Sequence, residues 1–199
     1  MRAARGSAAP TAVLLVALVA GCASGPPAAS EDLVNFRLGP EWSSFLLGAI
    51  SRLATADEIR AFQALADDDA ARAWVAEFWR RRDPDPDLPG NPFAERYAAR
   101  ALEADKHYSE GGFNGRRTDR GTIFVLYGPP AQVKFESSPK LGEPPIEVWL
   151  YQPDAKPGLD GRPPQPRYEF VHRDELTRFY RPVKLAPRDL AGPDPGDDP

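Results

Sequence analysis

The stretch GRRTDRGTIFVLYGPP, residues 115–130, decides how the chain is read. A charged turn of Arg116, Arg117, Thr118, Asp119, Arg120 and Gly121 feeds an apolar run at residues 122–127. Gly128, Pro129 and Pro130 stop it. β-Branched and aromatic content between turn signals predicts a strand. Apolar groups stand on both alternating faces, Phe124 and Leu126 on one, Ile123, Val125 and Tyr127 on the other. A strand apolar on both faces is buried on both, which predicts a central position in its sheet.

Upstream of this stretch the pattern is helical. Trp42, Phe45, Leu46, Ala49, Ile50 and Leu53 recur with helical spacing and predict an apolar stripe over residues 41–53. Thr55 and Glu58 form a capping box that opens a short helix to about residue 65. Asp67, Asp68 and Asp69 suit the start of a third helix running to Arg82, with Trp74, Val75, Phe78 and Trp79 on one face. The prolines at 84 and 86 end it. Asn91 as cap and Pro92 at the first position open a fourth helix, which Gly111 and Gly112 break.

Downstream, strands are predicted at residues 133–136, 146–152, 167–172 and 178–183, with a long loop at 153–166 that is mobile or a surface feature. Helices first and strands after predict an α+β fold, N-terminal helices packed on a small, mainly antiparallel sheet.

The N-terminus reads as an export signal. Arg2 and Arg5 precede an apolar stretch at residues 11–20, too short to span a bilayer and of the right length for a signal peptide core. It ends Leu18-Val19-Ala20-Gly21-Cys22, which resembles the lipobox of bacterial lipoproteins. Small residues there suit the peptidase, and the Cys22 thiol takes the lipid. The alternative is an ordinary signal peptide with a chance cysteine. Cys22 is the only cysteine in the chain and stands at the cleavage site, which favours lipidation and rules out an internal disulfide. Two or three acyl chains hold a protein firmly at a membrane. Ala23, rather than Asp, follows Cys22, so the usual retention signal for an inner membrane is missing. In a cell with two membranes the outer one is expected.

These readings divide the chain into a signal peptide (1–21), a lipidated tether (22–32), one α+β domain (33–185) and a Pro- and Asp-rich disordered tail (186–199). Removing residues 1–21 takes Lys+Arg from 25 to 23 against 29 Asp+Glu, so the charge goes from −4 to −6. An acidic chain with no basic tract is a poor nucleic-acid binder.

With these residues in hand, the chain resembles the GWxTD domain family of bacterial exported proteins over roughly residues 74–183. Phe78-Trp79 with Arg82-Asp83-Pro84, the helix from Arg96-Tyr97 to Ala104-Asp105, Thr118-Asp119-Arg120-Gly121, Gly128-Pro129-Pro130, and Glu147, Trp149 and Tyr151 carry the resemblance in order. It departs at the motif's tryptophan, where Arg116 stands. Either Phe113 supplies the missing aromatic or the pocket is open. The resemblance implies a fold and an envelope setting, and no reaction.

Asp119 is read as an acceptor of backbone N–H bonds in its turn, Thr118 as packing its methyl, and Gly121 as supplying a dihedral other residues avoid. Arg120 pairs with Asp83 or Asp105 in that reading. The functional alternative joins Asp119 to Arg116, Arg117 and Arg120 as a small charged binding site. His107 and His172 lack metal-ligand spacing, even with Glu169 nearby, so no metal is expected. No G-x-S-x-G elbow or glycine-rich phosphate loop occurs, and no cofactor is expected. Trp149 and Tyr151 share one strand face, as core or as an aromatic platform for a sugar or peptide.

The resulting expectation is a membrane-anchored envelope protein, a binding or structural module with no catalytic residues, whose partner is an envelope protein or a glycan. The alternative is an envelope hydrolase acting on cell-wall or surface polymers.

Overall fold

The structure, a computed structural model, describes residues 33–139 and 141–181. The predicted cleavage site, the Cys22 lipid site, the tether and the tail lie outside them. In order come α1 (Ile50–Leu53), α2 (Ala56–Gln63), α3 (Asp68–Arg80), α4 (Pro92–Tyr108), a 3-10 turn (Gly115–Arg117), α5 (Asp119–Tyr127) and strands β1 (Gln132–Glu136), β2 (Ile146–Leu150), β3 (Arg167–Arg173) and β4 (Leu176–Phe179). The fold is α+β, with helices in the N-terminal part and one four-stranded antiparallel sheet in the order β1-β2-β3-β4.

Local signals set most boundaries. The Thr55–Glu58 capping box opens α2, with both reciprocal bonds made. The Asp67 side chain accepts from the Ala70 amide at the start of α3, and Asn91 does the same from Ala94 ahead of Pro92 in α4. Gly111 and Gly112, both at positive φ, follow the end of α4. Asp174 and Glu175, at φ 51° and 64°, form the two-residue turn between β3 and β4. That turn starts β4 earlier than the expected 178–183.

Two expectations fail on backbone state. Residues 41–53 form turns up to residue 49 and only one turn of α-helix. Gly48 interrupts them at φ +71°, held close to the backbone of Arg116, where a Cβ would come within 2.2 Å of the Arg116 carbonyl oxygen. The expected stripe still faces inward, and Leu46, Ala49 and Ile50 are fully buried.

The larger correction is that residues 122–127 are not the central strand of the sheet. They lie in α5, which Thr118 caps by accepting from the Gly121 amide and which Gly128 ends at φ +81°. An apolar run of six cannot be assigned by period alone, and a helix apolar all round is a buried helix. Burial follows as expected, with Val125 and Leu126 among the least accessible residues.

The last carbonyls of α5 need partners, and distant parts of the chain supply them. The Arg100 guanidinium donates to the carbonyls of Val125 (3.1 Å) and Leu126 (2.8 Å), and the Leu159 amide donates to Leu126 as well (2.9 Å). The long 153–166 loop is thus tied down at the end of α5, with Leu159 buried. One core joins the layers. Phe62, Phe78 and Phe124 from the helical side meet Trp149, Tyr168 and Phe170 from the sheet.

Candidate functional site

Thr118 is a hinge of hydrogen bonds between the 3-10 turn and α5. Its hydroxyl donates to the Gly115 carbonyl (2.9 Å) and accepts from the Gly121 amide (3.1 Å). Gly121 has ordinary helical backbone, so the expected special dihedral is not its reason for being glycine. A Cβ there would come within 1.7 Å of the Gly115 carbonyl oxygen. Close approach, not backbone twist, demands glycine.

Arg116 and Arg120, expected at the site, are committed elsewhere. The Arg116 backbone and guanidinium both bind Asp105 on α4, at 2.8 Å to one carboxylate oxygen and 2.6–2.8 Å to the other. Burial pushes the Asp105 carboxyl up, but the bonds from Arg116 outweigh it and hold the group below the ordinary carboxylate range. At the motif's tryptophan position the chain therefore has an ion pair to α4. Phe113 is half exposed and fills no buried place. Arg120 reaches Glu110 (2.8 Å) and Glu147 (3.0 Å), neither of the partners expected.

Trp149 is 1 % exposed, packed against Tyr108 and Phe170 with ring centres 5.3 and 5.2 Å away. Tyr151 is buried and donates its hydroxyl to the Gly128 carbonyl (2.8 Å). They are core residues, so the aromatic platform is corrected. His172 meets Thr177 through Nδ1 at 3.1 Å. Among the described residues no group of three or more His, Cys, Asp or Glu is arranged to hold a metal ion.

Asp119 keeps its acceptor role with a different donor. Its Oδ2 takes the N–H of Phe179 at 2.7 Å, so it pins β4, sixty residues away, rather than its own turn. Burial pushes its carboxyl pKa up, and the Phe179 amide and the charges of Arg178, Arg181 and Arg52 offset this only in part.

Around Asp119 lies a cleft of about 650 Å³ lined by Arg52, Arg117, Arg178 and Arg181, together with Leu33 and Thr122. Arg52, Phe179 and Arg181 also border a neighbouring cleft of about 720 Å³, walled by Tyr127, Tyr168 and Tyr180. No ion pair joins Arg52, Arg117, Arg178 or Arg181 to an acid among the described residues. Of the residues singled out from sequence, only Asp119 and Thr122, with Arg117 beside them, border this cleft. Arg52, Arg178 and Arg181 were missed, since Arg52 is far in sequence from the other two and no spacing marks any of them as part of a site.

A raised folded-state pKa means that the fold prefers protonated Asp119. Its stabilising contribution is fully present below the ordinary carboxylate value and is lost as pH rises through the folded value. Asp119→Asn keeps an acceptor for Phe179 without the charge. It is expected to match or exceed wild-type stability at neutral pH, with the gap closing as pH falls. Asp119→Ala strands the Phe179 amide and is expected to cost about 1–3 kcal/mol. Denaturant midpoints across the acid range check both; an Asn variant as damaged as the Ala variant would count against this account.

No curated protein and no solved structure matches the chain. A family model does, the GWxTD domain, over residues 42–180, reaching back through the helices that precede the segments readable as its motifs. On that match, the chain belongs to the GWxTD domain family.

Proposed function

We propose that the protein is a lipid-anchored component of a bacterial cell envelope whose GWxTD domain acts as a binding module, on the outer membrane where the cell has two. The observation that supports it most is the cleft beside Asp119. A fold that pairs Arg80, Arg82, Arg116, Arg120 and Arg167 with acids leaves four arginines around one cleft without an acid partner among the described residues. Unpaired guanidinium groups gathered in one place are suited to bind an anion. In its test, the mature chain is immobilised and offered envelope extract. A component retained by wild type and lost from Arg52→Gln/Arg178→Gln supports the module. Equal retention by both, or none, overturns it.

The hydrolase alternative draws on the partly buried Asp119 carboxyl at the edge of a cleft, whose pKa desolvation pushes up, a usual position for a general acid. It predicts fragments released from envelope polymers by wild type and none by Asp119→Asn.

Anchoring rests on residues 11–22. Cys22→Ser is expected to abolish incorporation of labelled palmitate and to leave uncleaved precursor or soluble protein. Unchanged membrane partitioning in that variant would remove the anchor from the proposal. No helix among the described residues is long and apolar enough to cross a membrane.

A further inference from the structure

The chain enters its fold at the arginine cleft. Leu33, the first described residue, is buried and lines that cleft with Arg52, Arg117, Arg178 and Arg181. Eleven residue steps separate it from Cys22, a reach of at most about 40 Å when fully extended. A lipid on Cys22 would therefore keep the cleft close to the bilayer surface.

The turn that follows Leu33 carries a second feature. Phe36 is 84 % exposed, with the exposed Arg37 beside it. This exposure is braced from behind. Asn35 is buried, donates its side-chain amide to the carbonyls of Phe62 and Leu65 (both 3.0 Å), and accepts from the Arg37 amide at 3.1 Å. The aromatic ring is held outward on a rigid turn, within about 11 Å along the chain from the cleft lining. An exposed aromatic next to a cation suits the boundary between lipid headgroups and acyl chains.

Charge gives the ligand class. The chain as a whole is acidic, at −4, so a general attraction to anionic surfaces is absent. Among the described residues, four arginines without an acid partner, against the one carboxylate of Asp119, concentrate positive charge in a single concavity. One carboxylate would leave most of that charge unmatched. A phosphoryl group, with up to two negative charges and three acceptor oxygens, matches it better, and guanidinium forks fit its geometry.

We propose that the arginine cleft, with Phe36 beside it, is a membrane-contact site that takes the phosphate groups of anionic lipid headgroups on the surface to which the chain is tethered. This deepens the binding-module reading and rests on it for a ligand at the cleft. It does not require Cys22 to be lipidated for the contact to be measurable.

The test uses the mature chain from position 22 with Cys22→Ser, so that no acyl group contributes. Sedimentation is measured with phosphatidylcholine vesicles, alone or with added phosphatidate, at low and high salt. The expected result is binding to phosphatidate vesicles only, weakened by salt. Arg52→Gln/Arg178→Gln/Arg181→Gln, all at exposed positions, should lower partitioning about a hundredfold. Phe36→Ala should lower it about tenfold. Equal binding by wild type and the triple variant overturns the proposal, as does binding to neutral vesicles. Absence of vesicle binding with thermal stabilisation by inorganic pyrophosphate, lost in the triple variant, overturns the lipid source in favour of a soluble phosphate. If the vesicles fail while a component of envelope extract is still retained through the arginines, the ligand assignment falls and the binding-module reading stands.

Discussion

Gly121→Ala is expected to destabilise the domain by about 3 kcal/mol or more, at the upper end of what overpacking costs. Helix propensity argues the other way, since Ala in place of a mid-helix Gly gains roughly 0.5–1 kcal/mol. The close approach decides the sign. A Cβ at Gly121 would stand 1.7 Å from the Gly115 carbonyl oxygen, and one at Gly115 would stand 1.9 Å from the Ala104 carbonyl oxygen on α4. These are backbone atoms, so no side chain can swing away. The turn between them is also fixed, by Thr118 to α5 and by Arg116 to Asp105. Adding the methyl must push α5 from the turn or the turn from α4. Gly115→Ala is expected to behave in the same way. A shift in unfolding free energy under about 1 kcal/mol for both variants would show that this contact relaxes without loss.

Arg120→Ala is expected to cost about 3–5 kcal/mol, the range for removing one partner of a buried ion pair. Arg120 joins Glu110 from the segment after α4 to Glu147 on β2, and all three side chains are at most 20 % exposed. Glu110 also accepts from the amide (2.9 Å) and hydroxyl (2.8 Å) of Thr177 on β4. One guanidinium therefore joins the helical layer to the sheet, lying over the Tyr108 ring at 5.6 Å. Without it, two carboxylates face each other in a partly dry space. Arg120→Lys keeps a charge but loses the two-armed reach, so it should recover only part of the loss. Denaturant unfolding of the three proteins checks the order; an Ala variant within about 1 kcal/mol of wild type would place the pair in solvent-screened surroundings.

These two residues, with Thr118 and Asp119, give the TDRG segment a structural reading. Thr118 starts the helix, Asp119 holds β4, Arg120 bridges to β2, and Gly121 lets the turn approach. Of the four, only Asp119 lines the arginine cleft, so it is the residue at which structure and binding can conflict. Its raised pKa is the trace of that position, a carboxyl partly withdrawn from water with one amide to satisfy it.

Much of the fold was legible wherever a residue type satisfies its own neighbours. Thr55 with Glu58, Asp67, and Asn91 with Pro92 mark helix starts because their side chains bond amides two or three residues on, a relation the sequence contains whole. The same signal was present for α5, in Thr118 before the run and Gly128 after it. β-Branched content outweighed it, although burial removes the solvent-facing side on which propensity would have counted. The apolar run thus determined by itself that residues 122–127 are buried. Which backbone state buries them was decided by tertiary packing, since either a central strand or a helix wrapped on all sides accommodates it. The site lies further from the sequence still. Arg52, Arg117 and the Arg178–Arg181 pair are far apart along the chain, and nothing in their spacing separates them from arginines paired with acids. Whether an arginine is free depends on which acids the fold brings within reach, and that sum over long-range neighbours exists only once the chain has closed on itself.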